Sequence, residues 1–272
     1  MKKGFLLWAL GRFGDRYLKD LRNTLNRFSP IIRSVEDVER LFAGNFPSRR
    51  HLWFAVRNLL KYCKLHGWSE EAIDVLMKAM PPTPHSKPEN IVPREDKIVE
   101  LLKALKNAPV RIQVLYHLIL DSAIRPLHAV ELINAFDPKR LEFLDHGIYR
   151  YHAVIERREK HTFIVFISDY TLKLLRSLKQ PLYEHTYQHY ALRKRLIRAK
   201  HVQKFAYNMM RKNRVDRDVA DFISGRKPEG IGARHYAELI MLAEEQYPKY
   251  AKYLKSLRAK AGIINQKALC SK

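Results

Sequence analysis

The sequence predicts a mainly α-helical protein carrying one small β-hairpin, an α+β chain organised in two helical parts. Three observations predict it. Apolar residues recur at three- and four-residue intervals through most of the 272 residues. Two β-rich runs, 147–156 and 162–168, stand together in the second half. A stretch at 81–96 holds five prolines and almost no periodicity. Proline restricts its backbone, so it reads as a semi-rigid linker. The expected organisation is a helical domain over 1–80, a linker over 81–94 and a second domain over 95–272.

In the first part FLLWALGRF, DRYLKDLRNTLNRF, VEDVERLFAG, RRHLWFAVRNLLKYCKLHG and SEEAIDVLMKAM each carry helical periodicity, with Ser34, Ser48 and Ser69 as capping residues. The fourth segment loads Arg49, Arg50, Arg57, Lys61 and Lys64 among Trp53, Phe54 and Tyr62. Aromatics of this kind ordinarily fill a core while the cations face water. The same basic edge can track the phosphates of a duplex.

The net charge of +23 and pI near 10.0 mark a chain attracted to polyanions. Its Lys and Arg residues are spread along the whole length, which favours a basic cleft over a charged tail. Nucleic acid is the leading partner and an anionic membrane surface the alternative. No apolar run approaches the roughly 20 residues that span a bilayer, and no signal peptide is expected. Cys63 and Cys270 lie far apart without a CxxC, and the 12 histidines lack ligand spacing. Neither disulfide, metal nor cofactor is expected, and the cysteine usage fits a reducing cytoplasm.

In the second part DKIVELLKALKNA is amphipathic, and Pro109 starts VRIQVLYHLILDSA, apolar on most faces and so a central buried helix. It ends at Ile124-Arg125-Pro126, before LHAVELINAF. An arginine at such a break projects from a rigid support toward a cleft. GIYRYHAVIE and TFIVFIS, separated by the charged turn 157–161, form the hairpin. SDYTLKLLRSL is a capped helix, and 181–213 reads as a continuing, strongly basic helical run. The segment VDRDVADFISGRKPEGIGARHY then stops at Gly225, crosses a loop and delivers Tyr236 as a new helix starts, beside Arg234 and His235 and ten positions after Arg226. Cations at that distance can stabilise an attacking phenolate and the phosphate it attacks. A plainer reading packs Tyr236 into a core and leaves Arg226 as a solvated helix end. The final helical run is expected to break at Pro248, with Tyr247, Tyr250 and Tyr253 as alternative nucleophiles or packed residues.

Gly225-Arg226 followed by His235-Tyr236 resembles the C-terminal signature of the tyrosine recombinases (the phage-integrase family), in wording closest to archaeal virus and plasmid integrases. SAIRPLHAVEL resembles the turn that carries the family's first catalytic arginine, with Glu131 at its acidic position. The resemblance implies a core-binding domain and a tyrosine-recombinase catalytic domain closing around double-stranded DNA, with self-association into dimers or tetramers there. Tyr236 is then the nucleophile, and Arg125 and Arg226 the phosphate ligands. Lys160 is the hairpin's general acid, although Arg158 stands nearer the place where bacterial members carry theirs. Arg158, His201, Lys204, Arg234 and His235, with the basic residues of the first domain, are expected on the DNA. The C-terminal segment is expected to suit docking on a neighbouring protomer.

The chain departs from the family at the second arginine. One register pairs Lys200 with Gln203 and the other pairs His201 with Lys204, and neither supplies a guanidinium. Losing one such ligand costs on the order of 10² to 10³ in rate. The expected protein is a site-specific recombinase or integrase that binds DNA well and cuts it slowly. The alternatives are a non-cleaving DNA-binding protein of recombinase descent and a basic helical nucleic-acid-binding module unrelated to the family.

Overall fold

A computed structural model describes residues 2–44, 48–83, 91–157, 160–226 and 236–265. The chain divides into two compact units, 1–89 and 90–272.

The first unit is helical among its described residues: α1 (Lys2–Leu10), α2 (Asp15–Phe28), α3 (Val35–Phe42), α4 (Arg49–Leu65) and α5 (Glu70–Ala79). α4 is its axis, because Leu52, Trp53, Val56 and Leu60 enter one apolar cluster with Val38, Phe42 and Ile73, while Ala55 enters a second with Phe5, Leu18, Leu21 and Leu25. Ser34 and Ser69 cap as expected, accepting from the amides of Asp37 and Ala72. Ser48 does not. Its backbone is left-handed (φ +84°), and its hydroxyl makes no capping bond.

The second unit opens with α6 (Glu95–Leu105) and α7 (Val110–Ser122) and continues through α8 (Pro126–Asn134) to three strands, β1 (Leu141–Asp145), β2 (Ile148–Arg157) and β3 (Lys160–Ser168). α9 (Asp169–Arg176), α10 (Glu184–Arg193), α11 (Ala199–Lys212), α12 (Arg217–Ile223) and α13 (Tyr236–Lys260) follow. α7 is the buried centre, its residues from Val114 to Ser122 all out of solvent, with α8, α9, α11 and β3 packed on it. The sheet is antiparallel in the order β1-β2-β3. β2 carries one extra residue between His152 and Ile155, a bulge with Val154 at φ +42°.

Three sequence expectations need correction. β1 adds a strand to the hairpin. The basic run 181–213 is two helices, because α10 ends in a Schellman turn: Arg195 takes φ +52°, the Leu196 amide bonds the Ala191 carbonyl and the Arg195 amide bonds the Leu192 carbonyl. α13 runs through Pro248 without a break. Proline removes one amide donor from the helix, but Tyr247 and Tyr250, on either side of that gap, donate their hydroxyls to the carbonyls of Asp121 and Leu120 (2.9 and 2.7 Å) and hold both halves against α7.

Candidate functional site

The end of α7 sets up the site. Ala123 takes a left-handed conformation (φ +50°), Arg125 turns extended and Pro126 starts α8 with its fixed φ. Ser122 pins the turn to β3, its hydroxyl donating to the Phe166 carbonyl and accepting from the Phe166 amide (2.8 and 2.7 Å). Arg125 is therefore carried on a rigid corner.

A second corner meets it. α12 closes in a Schellman turn, with the Arg226 amide bonded to the Asp221 carbonyl (2.8 Å), the Gly225 amide to the Phe222 carbonyl (3.0 Å), and Gly225 at φ +69°. A Cβ at Gly225 would stand 2.4 Å from the Thr162 hydroxyl and 2.9 Å from the His161 carbonyl, so β3 leaves no space for a side chain there. Thr162 is itself held, 2.7 Å from Nδ1 of the buried His128 on α8. Arg125 Nη1 donates to the Gly225 carbonyl. Two arginines distant in sequence thus belong to one junction of α7, α8, β3 and α12. Arg125 is half-buried, and burial first, then the charge of Arg226, pull its pKa below the ordinary arginine value. It remains a cation in a place that disfavours cations.

Arg226 stacks on Tyr207 of α11, its Cζ 4.0 Å from the ring centroid, and pairs with Asp221 at 3.2 Å. That contact orients α11. At 100° per residue, Lys200 falls roughly 20° and Gln203 roughly 40° from the direction of Tyr207, whereas Lys204 falls roughly 60° and His201 roughly 120° away. Lys200 and Gln203 thus share most closely the helix face turned to Arg226.

Lys160 is the first residue of β3, opposite Arg157 in register, and stands two residues before Thr162. Tyr236 opens α13, and Leu239, one turn later, is buried in the second unit's core. The side chains of Lys160 and Tyr236, and Arg158, Arg234 and His235 altogether, lie outside the described residues. The alternative tyrosines are packing residues: Tyr247 and Tyr250 are fully buried, and Tyr253 donates to Glu95 (2.9 Å). Burial raises all three pKa values, and a phenol harder to ionise is a poorer nucleophile. α13 is bonded within its own unit at Tyr247, Tyr250 and Gln246, the last paired twice with Asp216 (2.7 and 2.6 Å).

In the first unit, Arg50, Arg57, Lys61 and Lys64 fall within roughly 40° of one line along α4. Arg50, Arg57 and Lys61 are exposed, whereas Lys64 is engaged by Glu70 and Asp74 (2.6 and 3.1 Å). Arg49 stands off this line and is half-buried. Tyr207, Asp221, Thr162 and His128 had not been singled out in the sequence. Only Tyr207 had a signal, lying four residues after Gln203 on the face expected to carry the second ligand.

Among the described residues no helix is long and apolar enough to cross a membrane. No curated protein matches the chain. Among solved structures it is similar to the integrase from mycobacterium phage Brujita, at 12% identity over 91% of each chain with a TM-score of 0.41. It is also similar to XerH site-specific recombinase bound to difH substrate in a pre-cleavage complex, at 12% identity over 87% of this chain and 93% of that one, again with a TM-score of 0.41. A family model, archaeal phage integrase, matches residues 90–253 and sets aside the reading of an unrelated basic module. More than half the chain lies within that match, and the protein belongs to the archaeal phage integrase family of tyrosine recombinases.

Proposed function

We propose that this chain cuts and rejoins double-stranded DNA at a specific site through a 3'-phosphotyrosyl intermediate. One observation carries the reading: Arg125 and Arg226 are held at a single glycine, at the end of the helix from which the chain leads on to Tyr236. The Tyr236 oxygen attacks the scissile phosphorus and the bond to the 5' oxygen breaks. The two arginines balance charge growing on the non-bridging oxygens, and Lys160 protonates the departing 5' oxygen. The reverse attack by a 5' hydroxyl reseals the strand, and the bond energy is conserved in the tyrosyl ester. Lys200 orients the phosphate, and Gln203 offers it one neutral hydrogen bond where a guanidinium would offer a charged fork. The basic line on α4 follows the phosphates of the same duplex, and protomers assemble there as dimers or tetramers.

The anchoring of α13 supports cleavage within one protomer. Leu239 is buried in the core of the unit that carries Arg125, so the first turn of the helix belongs to its own chain. On a nicked suicide duplex the wild type is expected to form a covalent adduct that Tyr236→Phe abolishes. Mixing Tyr236→Phe with Arg125→Ala is expected to restore none. Adduct from the mixture would mean that tyrosine and arginine come from different protomers.

Gln203 favours a second reading, a recombinase descendant that binds DNA without cutting it. Gln203→Arg is expected to raise adduct formation by about 10² or more, the worth of one positioned donor. An unchanged rate would place the missing ligand elsewhere on α11. No adduct from either protein would leave binding as the function.

A further inference from the structure

Arg226 is a long side chain on a chain segment leaving a helix, and nothing in its own local backbone fixes the guanidinium. Two residues outside the expected catalytic set fix it. The guanidinium carbon stands over the ring of Tyr207, 4.0 Å from its centroid, and the Asp221 carboxylate accepts from Nη1 at 3.2 Å. Asp221 is itself held. Arg217 approaches to 3.9 Å, burial and then the neighbouring Asp221 carboxylate raise the pKa of the Tyr207 phenol, and the Asp221 side chain is only 15% exposed against 41% for Arg226. A ring face sets the plane of a guanidinium, and a carboxylate on one edge sets its rotation within that plane.

We propose that Tyr207 and Asp221 are positioning residues that hold Arg226 for the scissile phosphate. The inference rests on the strand-cleavage reading and deepens it. An unpinned arginine must be ordered when the phosphate arrives, at the expense of its rotamer freedom. The pinned one is ordered beforehand. Where the second arginine is replaced by Gln203, a larger share of charge stabilisation falls on Arg125 and Arg226, so their orientation matters more. Asp221 also has an opposing effect, since its negative charge weakens the attraction of the site for DNA. Orientation is gained and ground-state affinity is lost, and a merely structural role would not produce that division.

The test is single-turnover adduct formation on the suicide duplex at saturating protein, with DNA affinity measured separately, in the wild type and in the Gln203→Arg background. Tyr207→Leu is expected to slow adduct formation by about ten- to a hundredfold, as misplacement of a catalytic group does. Tyr207→Phe, which keeps the ring, is expected to lose only about threefold, the share of its hydroxyl. Asp221→Asn is expected to slow adduct formation by about tenfold while tightening DNA binding by about threefold, the removed like charge accounting for the gain. In an Arg226→Ala background, Tyr207→Leu is expected to cost nothing further, because its effect passes through the guanidinium. An undiminished effect there, or equal losses for Phe and Leu at 207, would overturn the proposal.

A second readout does not depend on cleavage. The Arg226 Nε–Hε resonance is expected to be displaced by the ring current of Tyr207, and to move to an ordinary position with a sharpened, mobile line in Tyr207→Leu. If neither wild type nor Gln203→Arg forms adduct, the cleavage reading fails, and this resonance alone decides whether Tyr207 pins Arg226. A resonance unmoved by Tyr207→Leu would overturn the pinning by itself.

Discussion

Two arginines meet the end of α7 and are treated in opposite ways. Arg258 reaches it from α13 and is almost wholly buried (4% side-chain exposure). It is matched by Asp121 at 2.6 Å, with His117 and Thr171 each at 3.4 Å. Asp121 accepts in turn from the amide and hydroxyl of Ser168 (3.0 and 2.9 Å). Four residues along, half-buried Arg125 receives a backbone carbonyl and a neighbouring cation and, among the described residues, no carboxylate. One guanidinium closes a neutral joint between helices, while the other leaves a charge imbalance that an anion would relieve. The difference teaches that burial and partner charge, not residue type, separate an arginine spent on joining helices from one left available to an anion.

Substitution can break that comparison. Arg258→Ala strands the Asp121 carboxylate in the core and is expected to destabilise the second unit by about 3–5 kcal/mol in denaturant unfolding. Arg125→Ala is expected to change stability by less than about 1 kcal/mol, yet to lower adduct formation by about 10² to 10³. Equal losses of stability in the two variants would show that Arg125 is structural after all. Gly225→Ala sharpens the point, since its left-handed backbone and the Thr162 contact both oppose a methyl group. It is expected to cost about 1–3 kcal/mol in thermal unfolding, with a fall in adduct formation because both arginines are referred to that residue.

The mildest effect is with pH. Burial, then the charge of Arg258, hold the His117 pKa well below its ordinary value of 6.5. The unfolded chain takes up a proton near that value while the folded one does not, so this contribution is complete above pH 6.5 and shrinks as pH falls below it. The expected slope is at most about 1.4 kcal/mol per pH unit, to be read from unfolding midpoints and to vanish in His117→Gln.

Much of this was legible from sequence where a local rule applied. α7 announced itself by apolar residues on every face, and Gly225-Arg226 by the one residue type that takes a Schellman position without strain. The basic line of α4 followed from helical spacing alone. β1 went unseen because none of its residues is buried, Leu141 and Leu144 being half-buried and the other three exposed, so that no regular apolar alternation marks it. The break between α10 and α11 went unseen because an arginine, not a glycine, occupies the left-handed position. Pro248 misled in the opposite sense, its helix being held by tyrosine hydroxyls bonded to a helix more than 120 residues upstream. The Arg258–Asp121 pair and the support of Arg226 by Tyr207 and Asp221 join distant segments, and no spacing rule reaches them.

Several of the long joints end on peptide oxygens: Tyr247 on 121, Tyr250 on 120, Tyr116 on 197 and Trp53 on 81. Such an acceptor is present whatever amino acid occupies the position, so only the donor half of each joint is exposed to point mutation. Across relatives these joints should therefore leave one invariant column each and no compensating partner. A search for correlated substitutions would pass over the very fastenings that hold the last helix.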